Sequence, residues 1–153
     1  MKLVVKKKIF ALTDTYNVFD ENENLKYQIV ADIVSAGVKY RLFDTNKKEI
    51  AIIESKVATL LPEYIITING VEVDHIKCLV SLAVPKYEFI NKGYIVTADV
   101  THFNYEVKDK NEKVIATLKK EQFKLSSTYN INVNVEDSVL EIILFVIAIS
   151  EDD

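Results

Sequence analysis

The sequence predicts a mainly β protein, a closed antiparallel barrel of about twelve strands around a hydrophobic C-terminal helix. Three observations lead there. Residues 40–68 align without a gap to residues 105–133, an offset of 65, and self-similarity at a fixed offset reports architecture before any local pattern does. Apolar and polar residues alternate with period two between short turn signals, the mark of strands with one dry and one wet face. The last apolar run, Val139 to Ile149, lacks that alternation.

The repeat carries Tyr40, Asp44, Asn46, Lys48 and Tyr64 onto Tyr105, Asp109, Asn111, Lys113 and Tyr129, and residues 16–22, YNVFDEN, give a weaker third copy of its opening. Its unit is strand, Asp-x-Asn turn, strand, strand, so hairpins in series should close on themselves. The strands His102–Lys108 and Tyr129–Val135 alternate strictly. Ile68-Asn69-Gly70-Val71 reads as a two-residue hairpin, because Asn-Gly tolerates the positive φ of a type I′ turn. Asn91-Lys92-Gly93 makes a longer one. Asp20-Glu21-Asn22, Asp44-Thr45-Asn46 and Asp109-Lys110-Asn111 place side-chain acceptors beside turn amides.

At the C-terminal end, Ser138 and Glu141 have the spacing of a capping box, and Glu136 and Asp137 put negative charge at a helix N-terminus. Ile142, Ile143, Val146 and Ile147 favour a strand by propensity. The cap and the length of the run favour a helix. Its apolar residues would point all round, which requires burial on every side. A closed sheet wrapped around it satisfies that requirement.

The 153 residues form one domain, 1–153, by length and by the absence of linkers or composition shifts. Such a chain buries roughly 68–70% of its unfolded surface and needs no disulfide or metal staple. Cys78 is the single cysteine; it reads as a buried structural thiol in a reducing compartment. MKLVVKKKIFAL is not a signal peptide, since three lysines cut its apolar stretch. The run ending at Ile149 is far short of the ~20 residues of a membrane span. A cytoplasmic location is expected. A net charge of −4 argues against nucleic-acid partners. Arg41 is the sole arginine, and the lysine, isoleucine and asparagine bias fits an AT-rich bacterial genome.

The segments KKKIFALTDTYNVFDENENLKYQI (6–29), GVKYRLFDTNKKEIAIIESKVATLLPEYIITINGVEV (37–73) and VEDSVLEIILFVIAISEDD (135–153) make the chain resemble the LURP-one-related family across its whole length, as a compact bacterial member. That family shares the tubby C-terminal fold, a twelve-stranded barrel around a hydrophobic helix, and is related to phospholipid scramblases. The resemblance implies no enzymatic activity and no cofactor. It also implies a binding module that docks on anionic phospholipid through a cationic barrel face, peripheral at a membrane.

Lys39 and Arg41 share one face of a strand, and tubby-type lipid sites use a similar cationic pair; a guanidinium fork suits phosphate. Lys6 and Lys8, from the run Lys6-Lys7-Lys8, are the other lipid-binding candidates. Their structural alternative is to discourage pairing at a sheet edge. His75 and Cys78, three apart on a strand, face opposite ways and cannot form a catalytic pair. Asp20-x-Asn22-x-Asn24 opens like a calcium loop, but Leu25 stands where glycine is needed and Ala31 where a bidentate Glu is needed. No metal site is read, and no phosphate-cradle, zincin or nucleophile-elbow motif occurs. The eight tyrosines and seven phenylalanines are expected mostly at core-facing positions. Two alternative functions stay open: a scaffold for a protein partner, and a small-ligand barrel, the latter excluded if a helix fills the lumen.

Overall fold

The computed structural model describes residues 1–32, 37–122 and 124–151. Twelve strands run in chain order: β1 (Lys2–Lys7), β2 (Thr15–Asp20), β3 (Leu25–Ala31), β4 (Lys39–Phe43), β5 (Glu49–Ser55), β6 (Glu63–Ile68), β7 (Val71–Leu79), β8 (Lys86–Phe89), β9 (Tyr94–Ala98), β10 (Asn104–Lys108), β11 (Val114–Lys120) and β12 (Thr128–Val133). Each pairs antiparallel with its neighbours in sequence, and β1 pairs with β12 to close the barrel. The closing register sets Leu3 opposite Ile131 and Val5 opposite Tyr129. All four of these side chains are buried. A slip of one residue would turn the row outward, so burial fixes the register.

The 65-residue repeat is visible in the geometry. β4, β5 and β6 recur as β10, β11 and β12, and the ladder irregularity at Leu42/Phe43 recurs at Val107/Lys108. Asp44 and Asp109 each accept the amides two and four residues ahead, at 2.8–3.0 Å. Asp20 does the same with Asn22 and Asn24. This apparent calcium-loop opening is therefore a turn. In all three turns a non-glycine residue, Glu23, Lys47 or Glu112, takes a φ of 63–65°. The acceptors supplied by Asp hold that left-handed residue in place. Asn69 and Gly70, with φ of 50° and 80°, form the expected type I′ hairpin.

A 3-10 turn, Glu136–Ser138, leads into the helix α1 (Val139–Glu151). Every residue from Ile142 to Ile149 is at most 2% exposed. Twelve strands about 4.8 Å apart, tilted by roughly 40°, close on a diameter of about 24 Å. A helix of about 12 Å and an inward side-chain layer of about 5 Å on each side fill that width. The lumen is therefore solid core. Phe145 packs edge-on to Tyr87, with ring centroids 5.2 Å apart, and also meets Phe89.

Several details depart from the sequence reading. The Ser138 hydroxyl does not close a capping box; it sits 2.8 Å from the Tyr94 hydroxyl, with the Lys92 ammonium at 3.5 Å. At the other end of α1 the Tyr16 hydroxyl donates to Ser150. The helix is thus pinned to the barrel wall through side chains at both ends. Lys8 lies beyond the end of β1 rather than on its face. β1 is no edge, because closure pairs it on both sides. Cys78 is only half-buried, because it faces inward near the barrel mouth, where it lines an outer groove with Pro62 and Tyr87. The tyrosines do face the core, seven of them buried. Phe10 is fully exposed, and Phe19 and Phe43 are half-buried, one step out of phase with the inward residues Val18 and Leu42.

Candidate functional site

The meander sorts the connections into two ends. Even-to-odd links (β2–β3, β4–β5, β6–β7, β8–β9, β10–β11) are short turns at the end where α1 enters. Odd-to-even links (β1–β2, β5–β6, β7–β8, β9–β10, β11–β12) are longer loops at the opposite mouth.

Lys39 and Arg41 both point outward from β4, as alternation requires, while Tyr40 between them is buried. Their neighbours are acidic. The Arg41 guanidinium donates to Glu49 at 2.8 Å and to Asp32 at 3.2 Å. These hydrogen bonds, Glu49 first, raise its already high pKa further. Lys39 lies 3.9 Å from Glu54. The fork that could grip a phosphate already grips two carboxylates, and three acidic groups surround two cations.

Lys6 is set differently. It is exposed, and its ammonium lies 5.7 Å from the Phe19 ring centroid. Closure of the barrel brings β1 beside β12 and the β11–β12 loop, and a groove of about 470 Å³ opens between them at the loop-bearing mouth. Lys6, Lys124, Ser126, Thr128 and Asn130 line it, with Glu121. The Asn130 side-chain amide donates to Glu121 at 2.8 Å, and Lys124 reaches the same carboxylate at 3.3 Å. The Asn130 bond above all, with help from Lys124 and the charge of Lys6, holds Glu121 below the ordinary carboxylate range. The groove thus carries two ammonium groups against one carboxylate that is already hydrogen-bonded. Lys8 stands beside it on the β1–β2 loop, exposed.

Sequence reasoning found Lys6 and Lys8 and missed Lys124, Ser126 and Asn130. Lys6 and Lys124 are 118 positions apart, and only the β1–β12 pairing, which no local pattern announces, unites them. His75 and Cys78 fall on opposite faces of β7 as expected. The His75 Nε2 lies 3.6 Å from Glu63 on the outside, and Asp74, Ile76 and Cys78 turn inward.

The outward faces are rich in Lys, Glu and Asn, and the apolar faces line the interior. A membrane-spanning barrel has the reverse arrangement. Among the described residues no helix is long and apolar enough to cross a membrane. The chain matches the profile of the LURP-one-related family over residues 1–150. It belongs to that family. It is also 24% identical over 140 residues to the uncharacterised protein YxjI of Bacillus subtilis (strain 168), covering 92% of this chain and 86% of that one. An X-ray structure of an Arabidopsis thaliana protein shares the fold, with a TM-score of 0.64 at 12% identity over 99% of this chain and 90% of the other. The fold is thus shared by a plant protein and by this one, whose relative YxjI is bacterial.

Proposed function

We propose that this LURP-one-related protein is a non-catalytic module that docks on anionic lipid headgroups with its loop-bearing mouth. The observation that carries the reading is the groove between β1 and the β11–β12 loop, where Lys6 and Lys124 stand together with the Ser126 hydroxyl. Ammonium groups and a hydroxyl are the donors a phosphate-bearing headgroup uses. Lys39 and Arg41 face three carboxylates between them, whereas Lys6 and Lys124 share one, so the first pair contributes less. The surface exposed to such a module is the anionic cytoplasmic leaflet. Filling of the lumen by α1 removes the chamber that a small-ligand barrel needs.

Each lysine near an anionic bilayer contributes about 1 kcal/mol. Replacing Lys6 and Lys124 by alanine should therefore lower partitioning onto anionic vesicles roughly thirtyfold. The test is flotation with neutral and phosphatidylserine-containing vesicles at low and physiological salt. Anionic-only, salt-sensitive binding that the double variant loses supports the reading. Absence of binding under both salts overturns it and directs attention to a protein partner, sought by pull-down.

A further inference from the structure

Fourteen large apolar residues are exposed among those described, and ten of them lie at the loop-bearing mouth. Phe10 and Leu12 (β1–β2), Leu60 (β5–β6), Leu82 (β7–β8), Val100 (β9–β10) and Leu125 (β11–β12) are each at least 84% exposed. The exposed apolar residues of the opposite end, such as Leu25 and Val71, are less exposed, and the turns there are built on Asp and Asn.

We infer that this ring of loop tips inserts into the interfacial layer of a lipid bilayer and sets the barrel axis upright on the membrane. The inference rests on the headgroup reading above and adds how the module is held and oriented. Exposed aliphatic side chains scattered singly need no explanation; five loops presenting them at one end do. The tips project from separate loops around the barrel mouth, with grooves beside Leu82 and Leu125. A peptide or a helix would occupy one such groove and meet the tips of one or two loops, whereas a fluid bilayer can receive the tips of all five loops at once. Charge complements this occupant. Lys6, Lys7 and Lys8 lead directly into Phe10 and Leu12, and Lys124 adjoins Leu125, so cations stand at headgroup level when the tips enter the acyl boundary. Amphipathic membrane-surface elements combine apolar and basic residues in the same way. Of the acidic groups nearby, Asp14 pairs with Lys7, Glu63 with Lys77 and Glu121 with Lys124, and Asp99 beside Val100 is held charged by hydrogen bonds from the Thr101 and Asn104 side chains.

The rim side chains touch little protein, so their replacement spares the fold. The triple variant Leu12→Ser, Leu60→Ser, Leu82→Ser should lower partitioning onto phosphatidylcholine/phosphatidylserine vesicles at least tenfold, while circular dichroism and the melting temperature stay unchanged. In a Cys78→Ser background, an environment-sensitive fluorophore at Leu60→Cys should blue-shift on binding and be quenched by nitroxide lipids, and one at Asn46→Cys, at the far end, should do neither. Wild-type-like binding of the triple variant, with an unquenched Leu60 label and a salt-sensitive preference for anionic vesicles, overturns the insertion and leaves the headgroup reading intact. Rim-dependent binding without anionic preference upholds the insertion and sinks the headgroup reading. Rim-dependent dimerisation in sedimentation, with no flotation, overturns both in favour of a second copy of this chain.

Discussion

Glu141 is an acidic group inside an otherwise dry helix, and neutralising it should stabilise the protein. Its side chain is 5% exposed, the Lys92 ammonium is 3.9 Å away, and one carboxylate oxygen has no hydrogen-bond partner among the described residues. Burial pushes its pKa above the ordinary value near 4.5; Lys92 opposes the shift, and Asp74 and Asp137 add to it. The folded state therefore holds the proton more tightly than the unfolded chain. The stability this group contributes is complete below about pH 4.5 and is lost as pH rises through the folded pKa. An unsatisfied buried acceptor costs about 1–3 kcal/mol. Glu141→Gln keeps the shape and removes the charge, so it should match the parent at pH 4 and exceed it by about 1–2 kcal/mol at pH 8. Urea unfolding followed by tyrosine fluorescence at the two pH values measures this, with an unchanged slope against denaturant. Lower stability of Glu141→Gln at pH 8 would refute the reasoning, because the attraction of Lys92 would then outweigh the cost of burial.

Three further outcomes are expected. Asp74 is fully buried and accepts the amides of His75, Asn91 and Lys92 at 2.8, 2.9 and 3.2 Å; Asp74→Ala leaves all three unpaired and should cost about 3–5 kcal/mol, read as a fall in melting temperature of roughly 10 °C, with Asp74→Asn losing less. Lys47 sits at a φ of 63°; Lys47→Gly relieves the left-handed conformation and should raise stability by about 0.5–1 kcal/mol in denaturant titration. Arg41→Ala removes two partly exposed ion pairs, so chemical denaturation should show a loss of about 1 kcal/mol while vesicle flotation stays at the parent level; a severalfold drop in flotation would return Arg41 to the binding surface.

The repeat was legible because its identities are structural. Tyr40 and Tyr105 face the core, and the Asp44 and Asp109 carboxylates hold matching turns. The central helix was legible for a different reason: Ile142, Ile143, Val146 and Ile147 suit a strand, but an apolar surface pointing all round demands a container, and the alternating segments supply one. The capping box does not form, since Ser138 finds Tyr94 at the start of β9, a partner that local spacing does not reveal. The β1–β2, β5–β6 and β7–β8 loops carry apolar residues in plain sight in the sequence. The gathering of Leu12, Leu60 and Leu82 at one mouth is not legible there, because nothing local says which end of the barrel a loop joins.

Strand periodicity, turn chemistry and the helix belong to the sequence by itself, since each depends on residues a few positions apart. The closing pair β1–β12, the engagement of Arg41 by Asp32 and Glu49, the meeting of Lys6 with Lys124 and the gathering of five apolar loops at one mouth were decided only by the tertiary structure. The Arg41 pairs depend on the register of β4 against its neighbours β3 and β5; the others depend on which distant segments hydrophobic burial draws together, and burial has no direction along the chain.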